Sequence, residues 1–337
     1  MRGVTGFVVL AVWVVACRET VVIDQSAVDG GGGSDGGQTF CSGPPTVVKP
    51  QSPKVMVVLD RSDSMTAPFG SSNAVAVTRD ALDQYTSKYQ HVVWFGYSDF
   101  PGAMNCSPSQ SCCVGAFSAP NPMLFGFTAA LHACDQNQSC ANPTGNDRPT
   151  AAALYNCSLI FNQNEPVQRY ILLITNGRPD CGFSPGPGSC GDGGDAQNVI
   201  SQLLGKEVGT FVVAPGQIDP ETVQCLRDLA VAGGTATQPS YFHAAQDPPD
   251  LNNEIGDILR TIAMDACTLD LEGLRIQETT RVAVTWKNLS IPHDRNSGWD
   301  LTGNGFTITL RGPWCDHLIE DGPAEFAVFP DCNPPRH

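Results

Sequence analysis

The chain has 337 residues, of which 16% are charged, a formal net charge of -15 and 14 cysteines. That length allows one large domain, a smaller unit and some sequence with no core of its own. The acidic balance, with no basic block to offset it, argues against a nucleic-acid surface and against polybasic attachment to anionic lipid.

The N-terminus reads as a processing signal. Met1-Arg2 supplies a positive charge, Gly3 to Val15 is apolar, and Val14-Val15-Ala16 places small residues before Cys17. The apolar run is too short to span a bilayer, and the pattern resembles a bacterial lipoprotein signal over residues 1–16, with Cys17 as the lipidated residue. A diacyl-modified cysteine buries enough hydrocarbon for stable anchoring, whereas one chain is marginal. The expected location is therefore the bacterial cell envelope, and Arg18 in place of Asp after the cysteine suggests, by analogy with known sorting, the outer membrane. An ordinary secretory peptide with nearby cleavage is the alternative. Residues 17–53, with the run Asp24 to Gln38 dominated by glycine, read as a flexible tether with almost nothing to bury. Gly32-Gly33-Ser34-Asp35-Gly36 matches a serine-hydrolase elbow, but no strand precedes it and no helix follows, so it is set aside.

From Lys54 the elements alternate. Strands are expected at Val55 to Leu59, His91 to Tyr97, Tyr170 to Thr175 and Thr210 to Ala214. Helices are expected at Ala74 to Lys88, Leu124 to Ala133, Thr150 to Phe161, Ala196 to Leu204, Pro220 to Ala232 and Asp250 to Ala266. Short apolar strands between longer helices imply an α/β fold: a doubly wound, mostly parallel sheet covered on both faces, over residues 54–266. Ligands of such sheets bind at the carboxyl ends of the strands, where Asp60 and Asn176 would lie. After Cys267 the texture changes to alternating strands at Thr268 to Ile276, Arg281 to Trp286, Phe306 to Leu310 and Glu325 to Phe329, so residues 267–337 are read as a small β-rich unit.

The cysteines contain no Cys-x-x-Cys pair, which favours disulfides over zinc or a redox site. Cys134 with Cys140, and Cys181 with Cys190, have the spacing of local staples, and Cys267, Cys315 and Cys332 are placed to brace the C-terminal unit. With Cys17 lipidated an odd number remains, so at least one should be free or intermolecular. Adjacent Cys112 and Cys113 are expected to pair outward.

The strongest chemical signal is Asp60-Arg-Ser62-Asp-Ser64 at the end of an apolar strand. One carboxylate and two hydroxyls on a tight loop form half a shell for a hard cation such as Mg²⁺ or Mn²⁺. Together with Trp94 to Pro101, Arg148-Pro-Thr150 before Ala-Ala-Ala-Leu154, Ile171 to Pro179 and Ala230 to Thr235, this loop resembles the von Willebrand factor type A family, and the layout is similar to cysteine-rich lipoproteins of myxobacteria. The resemblance implies a metal-ion-dependent adhesion site that binds a partner's carboxylate through the cation, without turnover. Its two other ligand positions depart here: Arg148 stands where the family has Thr, and Asn176 where it has Asp. Both changes weaken a divalent site. Three outcomes are open: a vestigial site; a ligand restored by Thr150, Asp63 or Asp147; or the Arg148 guanidinium pairing with Asp60 in place of the ion.

The functional expectation is a binding protein rather than an enzyme, taking a protein or extracellular ligand, of acidic character if Arg148 is the recognising group. An envelope protein with a dead site and a partner docked on the cysteine-rich segment Asn105 to Cys140 is the alternative, and a hydrolase is third. A dehalogenase-type nucleophile at Asp60 lacks its second Asp, since Ser62 occupies that position, and the six histidines have no metal-ligand spacing. Asp192-Gly-Gly-Asp195 reads as a turn into a helix cap rather than a calcium loop, and Trp299 and Trp314 as packing residues.

Overall fold

The computed structural model describes residues 21–23, 39–41, 44–102, 112–133, 147–161, 166–181, 190–192, 194–238, 241–271, 274–276, 282–287, 289–322, 325–330 and 332–333. Residues 1–16, Cys17, the run 24–38, Cys134 and Cys140 lie outside these.

Six strands form the central sheet: β1 (Lys54–Asp60), β2 (Trp94–Phe100), β3 (Phe117–Asn121), β4 (Arg169–Ile174), β5 (Val208–Pro215) and β6 (His243–Ala245). Their order is β6-β5-β4-β1-β2-β3, all parallel except the edge strand β3. β1 is apolar on both faces because both are covered. Val55, Val57 and Leu59 enter one core, while Met56 and Val58 enter the other. β4 repeats this, with Leu172 and Ile174 on the first side and Ile171 and Leu173 on the second. Each such buried side chain contributes roughly 1.5–3 kcal/mol.

The first face carries helices α1 (Ala74–Tyr89), α2 (Phe125–Leu131) and α6 (Pro248–Met264). The second carries α3 (Thr150–Ser158), α4 (Asp195–Leu204) and α5 (Pro220–Ala232). Three of these starts are marked by side chains that accept the first orphan amides. Asn73 takes the Ala76 N–H, Asp219 those of Glu221 and Thr222, and Asp247 that of Asp250, with proline following both aspartates. Asp192 is buried and accepts from the Gly194 and Ala196 amides, so the Asp192 to Asp195 turn serves the start of α4, as the cap reading has it.

The C-terminal strands make two antiparallel sheets. One is Thr268–Asp270, Thr307–Leu310 and Trp299–Thr302; the other is Leu289–Ile291, Ala283–Trp286, Phe326–Phe329 and Thr46–Val48. Two readings are corrected. Residues 46–48, tether by composition, form an edge strand of this sheet, with Val48 1% exposed. The β-rich residues 267–337 are also not a unit apart, because Trp299, Val328 and Leu310 share one apolar cluster with β1, α1 and α6. Strand periodicity also misses a helix, α7 (Pro313–Asp321), whose signal is Pro313 at its first turn and whose buried face is made by Cys315, Leu318 and Ile319. Trp299 is core, 1% exposed, and Trp314 packs edge-on to Trp286.

The disulfides among the described residues include Cys41–Cys332, Cys112–Cys181, Cys190–Cys225 and Cys267–Cys315. Cys181 and Cys190 therefore do not staple each other. Cys181 holds the cysteine-rich segment, and Cys190 ties the start of α4 to α5. Cys332 reaches back to Cys41 rather than bracing the terminal unit with Cys267 and Cys315. Spacing along the chain measures loop length, whereas pairing requires Cα atoms within a few ångströms, which the fold decides. Cys157 on α3 is free and buried, and burial pushes its thiol up to about 12.

Candidate functional site

β1 and β4 are neighbours whose onward connections run to opposite sides of the sheet, β1 to β2 and β4 to β5. At such a switch point the loops diverge and leave a crevice at the carboxyl ends of the strands. Here the crevice is a cleft of about 690 Å³, lined among others by Ser64, Arg148, Asn176, Arg178, Asp180 and Gln217.

Asp60 ends β1 and is fully buried. Its Oδ1 accepts the Ser62 amide at 2.8 Å, which folds the loop back over the strand, and its Oδ2 accepts the Thr175 hydroxyl at 2.6 Å. Burial pushes the Asp60 carboxyl above its ordinary range, while Thr175, Ser62 and the charge of Arg148 pull it back. The Ser62 and Ser64 hydroxyls lie 3.2 Å apart, and Ser64 Oγ donates to Asn176 Oδ1 at 2.6 Å. Asn176 returns its amide to the Ser64 carbonyl at 3.1 Å. Asp60, Ser62 and Ser64 thus meet Asn176, which lies 112 positions beyond Ser64, in one cluster.

Arg148 sits on that cluster. Its Nε donates to Ser62 Oγ at 3.2 Å and lies 3.6 Å from Asp60 Oδ2; one terminal nitrogen donates to Ser64 Oγ at 3.0 Å, and the other lies 3.4 Å from Asp180 Oδ2. The Arg148 amide also donates to Asp180 Oδ1. Gly177 makes the placement sterically feasible: a Cβ there would overlap Arg148 Nε and Cζ and lie 2.7 Å from its Cδ. Thr150 turns instead toward its own helix start, its hydroxyl 3.5 Å from the Arg148 carbonyl. Asp63 is exposed on the short helical turn Asp63–Thr66. Asp147 lies with Asp180 and Cys181 in a group of the right size for a metal, but the Cys181 sulfur is committed to Cys112.

The donor set therefore does not fit a divalent ion. The Ser62 and Ser64 hydroxyls that would hold one are hydrogen-bonded to a guanidinium, and the same positive charge lies 3.6 Å from the Asp60 carboxylate, so a second cation there would meet like charge. Of the three outcomes left open by the sequence, the geometry is that in which Arg148 stands in for the ion. Thr175, Gly177 and Asp180 are not singled out by sequence reasoning, although Gly177 directly follows the replaced ligand position. Beside the cluster Arg61 pairs with the buried Asp99 at 3.1 Å and ties the loop to β2. Burial raises the Asp99 carboxyl, opposed chiefly by Arg61.

No family model matches the chain, and no curated protein sequence does. Solved structures with a similar fold include the pilus adhesin SpaC from Lactobacillus rhamnosus GG, at 13% identity and a TM-score of 0.48, covering 86% of this chain and 40% of that one. Manganese-loaded TRAP from Plasmodium vivax matches at 14% identity and a TM-score of 0.44, over 64% of this chain and 75% of that one. A von Willebrand factor type A protein from Catenulispora acidiphila matches at 16% and 0.43, over 88% and 61%. The chain thus spans less than two thirds of the length of the first and third of these, and likeness at this level concerns fold alone. The strand order and the helices on both faces are those of a doubly wound α/β fold, and its Asp60 loop resembles that of the von Willebrand factor type A family.

Proposed function

We propose that this chain is a cell-envelope lipoprotein, anchored through Cys17 in the outer membrane, whose type A-like domain binds a carboxylate-bearing protein or other extracellular ligand at the Asp60 cleft without a metal. The observation that carries the reading is the Arg148 guanidinium seated on Asp60, Ser62 and Ser64. A guanidinium has five N–H donors, two on each terminal nitrogen. Among the described residues one terminal N–H is used by Ser64 and one by Asp180, which leaves one on each nitrogen of a guanidinium whose residue lines the cleft. That pair matches the two oxygens of a carboxylate. The acceptors around it are already engaged: Asp219 by Glu221 and Thr222, and Asp180 by Arg148. Binding rather than turnover is supported by the state of the hydroxyls, since Ser62 and Ser64 bond to each other, to Arg148 and to Asn176 and to no histidine among the described residues.

The test uses a hexaglutamate peptide and its hexaglutamine counterpart, followed by calorimetry with and without EDTA. The expected result is binding of the first only, unchanged by EDTA and lost in Arg148→Met. Binding abolished by EDTA, or retained in Arg148→Met, refutes the mechanism, and no preference for the acidic peptide refutes the ligand class. The alternative, a partner docked at the cysteine-rich segment Asn105 to Cys140, has in its favour the exposed Met123 and Phe125 within it, at 71% and 85%.

A further inference from the structure

We propose that the end of the molecule built around the Cys41–Cys332 bond rests against the bilayer, and that the Asp60 cleft is held facing away from it at a stand-off set by the fold. The proposal rests on the reading of Cys17 as the lipidated residue and adds to it where the folded protein sits.

If residues 17–53 were a free tether, its 36 steps would give an r.m.s. reach of roughly 30–36 Å and leave the domain free to tumble above the membrane. The pairing shows another arrangement. Strand Val21–Ile23 is antiparallel to Thr39–Cys41, which in turn pairs with Cys332–Asn333, and Cys41 is bonded to Cys332. Cys41 and Cys332 are each 2% exposed and pack with Ala283 and Phe329 of the four-stranded sheet. Strand Thr46–Val48 then pairs with Phe326–Val328. The glycine-rich run 24–38 therefore joins two paired strands and is not in series between lipid and fold. Only Arg18, Glu19 and Thr20 separate Cys17 from the first paired residue, a span of at most about 14 Å.

The same path fixes the orientation. From Thr46–Val48 the chain runs past Gln51, whose side-chain amide donates to Asp270 Oδ2 at 3.4 Å, and enters β1 at Lys54, the amino end of the parallel sheet. Asp60 lies at the other end of β1, about 20 Å further on. The shared apolar cluster of the terminal sheets, α1, α6 and β1 joins the two ends into one core.

The full-length lipidated protein is reconstituted in phosphatidylethanolamine–phosphatidylglycerol vesicles carrying a headgroup acceptor dye. An encoded fluorescent amino acid is placed at Val47, 49% exposed near the anchor, or at Gln217 on the cleft rim. The expected result is at least twofold higher energy transfer from position 47 than from position 217, unchanged when residues 29–36 are deleted. Slow exchange of the amides of residues 21–23 should accompany it. Equal transfer from both positions, or transfer that rises at both when the run is shortened, overturns the proposal while leaving the anchor intact. A Cys17 peptide without diacylglyceryl mass, in a protein that fails to float with vesicles, removes the anchor and the proposal together.

Discussion

Gly177→Ala isolates the central claim, that a guanidinium occupies the cation position. The glycine is not in a left-handed conformation, so the new methyl costs little backbone strain. Its steric conflict is with Arg148, where it would overlap Nε and Cζ and lie 2.7 Å from Cδ. The long side chain can swing out, and in doing so it loses its bonds to Ser62 and Ser64 and leaves Asp60 without its charge partner. Hydrogen bonds to charged groups are worth about 1.5–3 kcal/mol each, and stranding one member of a buried ion pair costs about 3–5 kcal/mol. Two features reduce this. Arg148 keeps 15% side-chain exposure, and Asp60, already raised by burial, can take a proton. The expected loss is about 2–4 kcal/mol, read as a lower urea midpoint at unchanged m-value with disulfides intact. A double-mutant cycle then separates this from general crowding: Arg148→Ala should cost a similar amount, and adding Gly177→Ala to it should cost almost nothing more, because the atoms it displaces are gone. Additive costs, or a loss in the single variant below the roughly 0.5 kcal/mol typical of substitutions that disturb nothing, would refute the placement of the guanidinium.

Four further outcomes are expected. Arg148→Thr with Asn176→Asp removes the resident positive charge and adds a carboxylate, so Mn²⁺ binding should be measurable by electron paramagnetic resonance in the double variant and not in the parent; equal binding in both would mean that Arg148 does not exclude the ion. Asp60, Asp99 and Asp192 all have carboxyls raised by burial. The folded chain thus keeps protons that the unfolded chain has released, and their combined contribution should fall as pH rises from about 4 through the raised values, a slope that Asp60→Asn should flatten in urea titrations. Asp192→Ala leaves the Gly194 and Ala196 amides without their acceptor and should cost about 1–2 kcal/mol; a neutral result would mean that another group takes them. Cys41→Ser with Cys332→Ser should cost about 2–5 kcal/mol and accelerate amide exchange in residues 46–48 before residues 54–60.

The sequence determined the parts of this protein that depend on neighbours along the chain. The continuous apolar run of β1, the capped starts of α1, α5 and α6, and the alternation of strand and helix follow from local burial and capping, and together they fix a parallel sheet covered on both faces. The Asp60 to Ser64 motif was legible for the same reason, since its turn is closed by its own Ser62 amide. Arg148 and Asn176 were also visible as departures, because each sits at a recognisable helix start or strand end.

Which consequence those departures have was a matter of tertiary structure. Whether Arg148 turns toward Asp60 or toward solvent depends on space beside Gly177 and on the grip of Asp180, residues of a different loop whose distance to the guanidinium no local pattern encodes. The disulfide partners and the membership of Thr46–Val48 in a C-terminal sheet were hidden likewise, with Cys41 and Cys332 separated by 291 positions. A sequence states which groups can pair; the fold brings particular ones within bonding distance. In this chain it placed a permanent positive charge of the protein itself where the loop alone would suggest a metal ion.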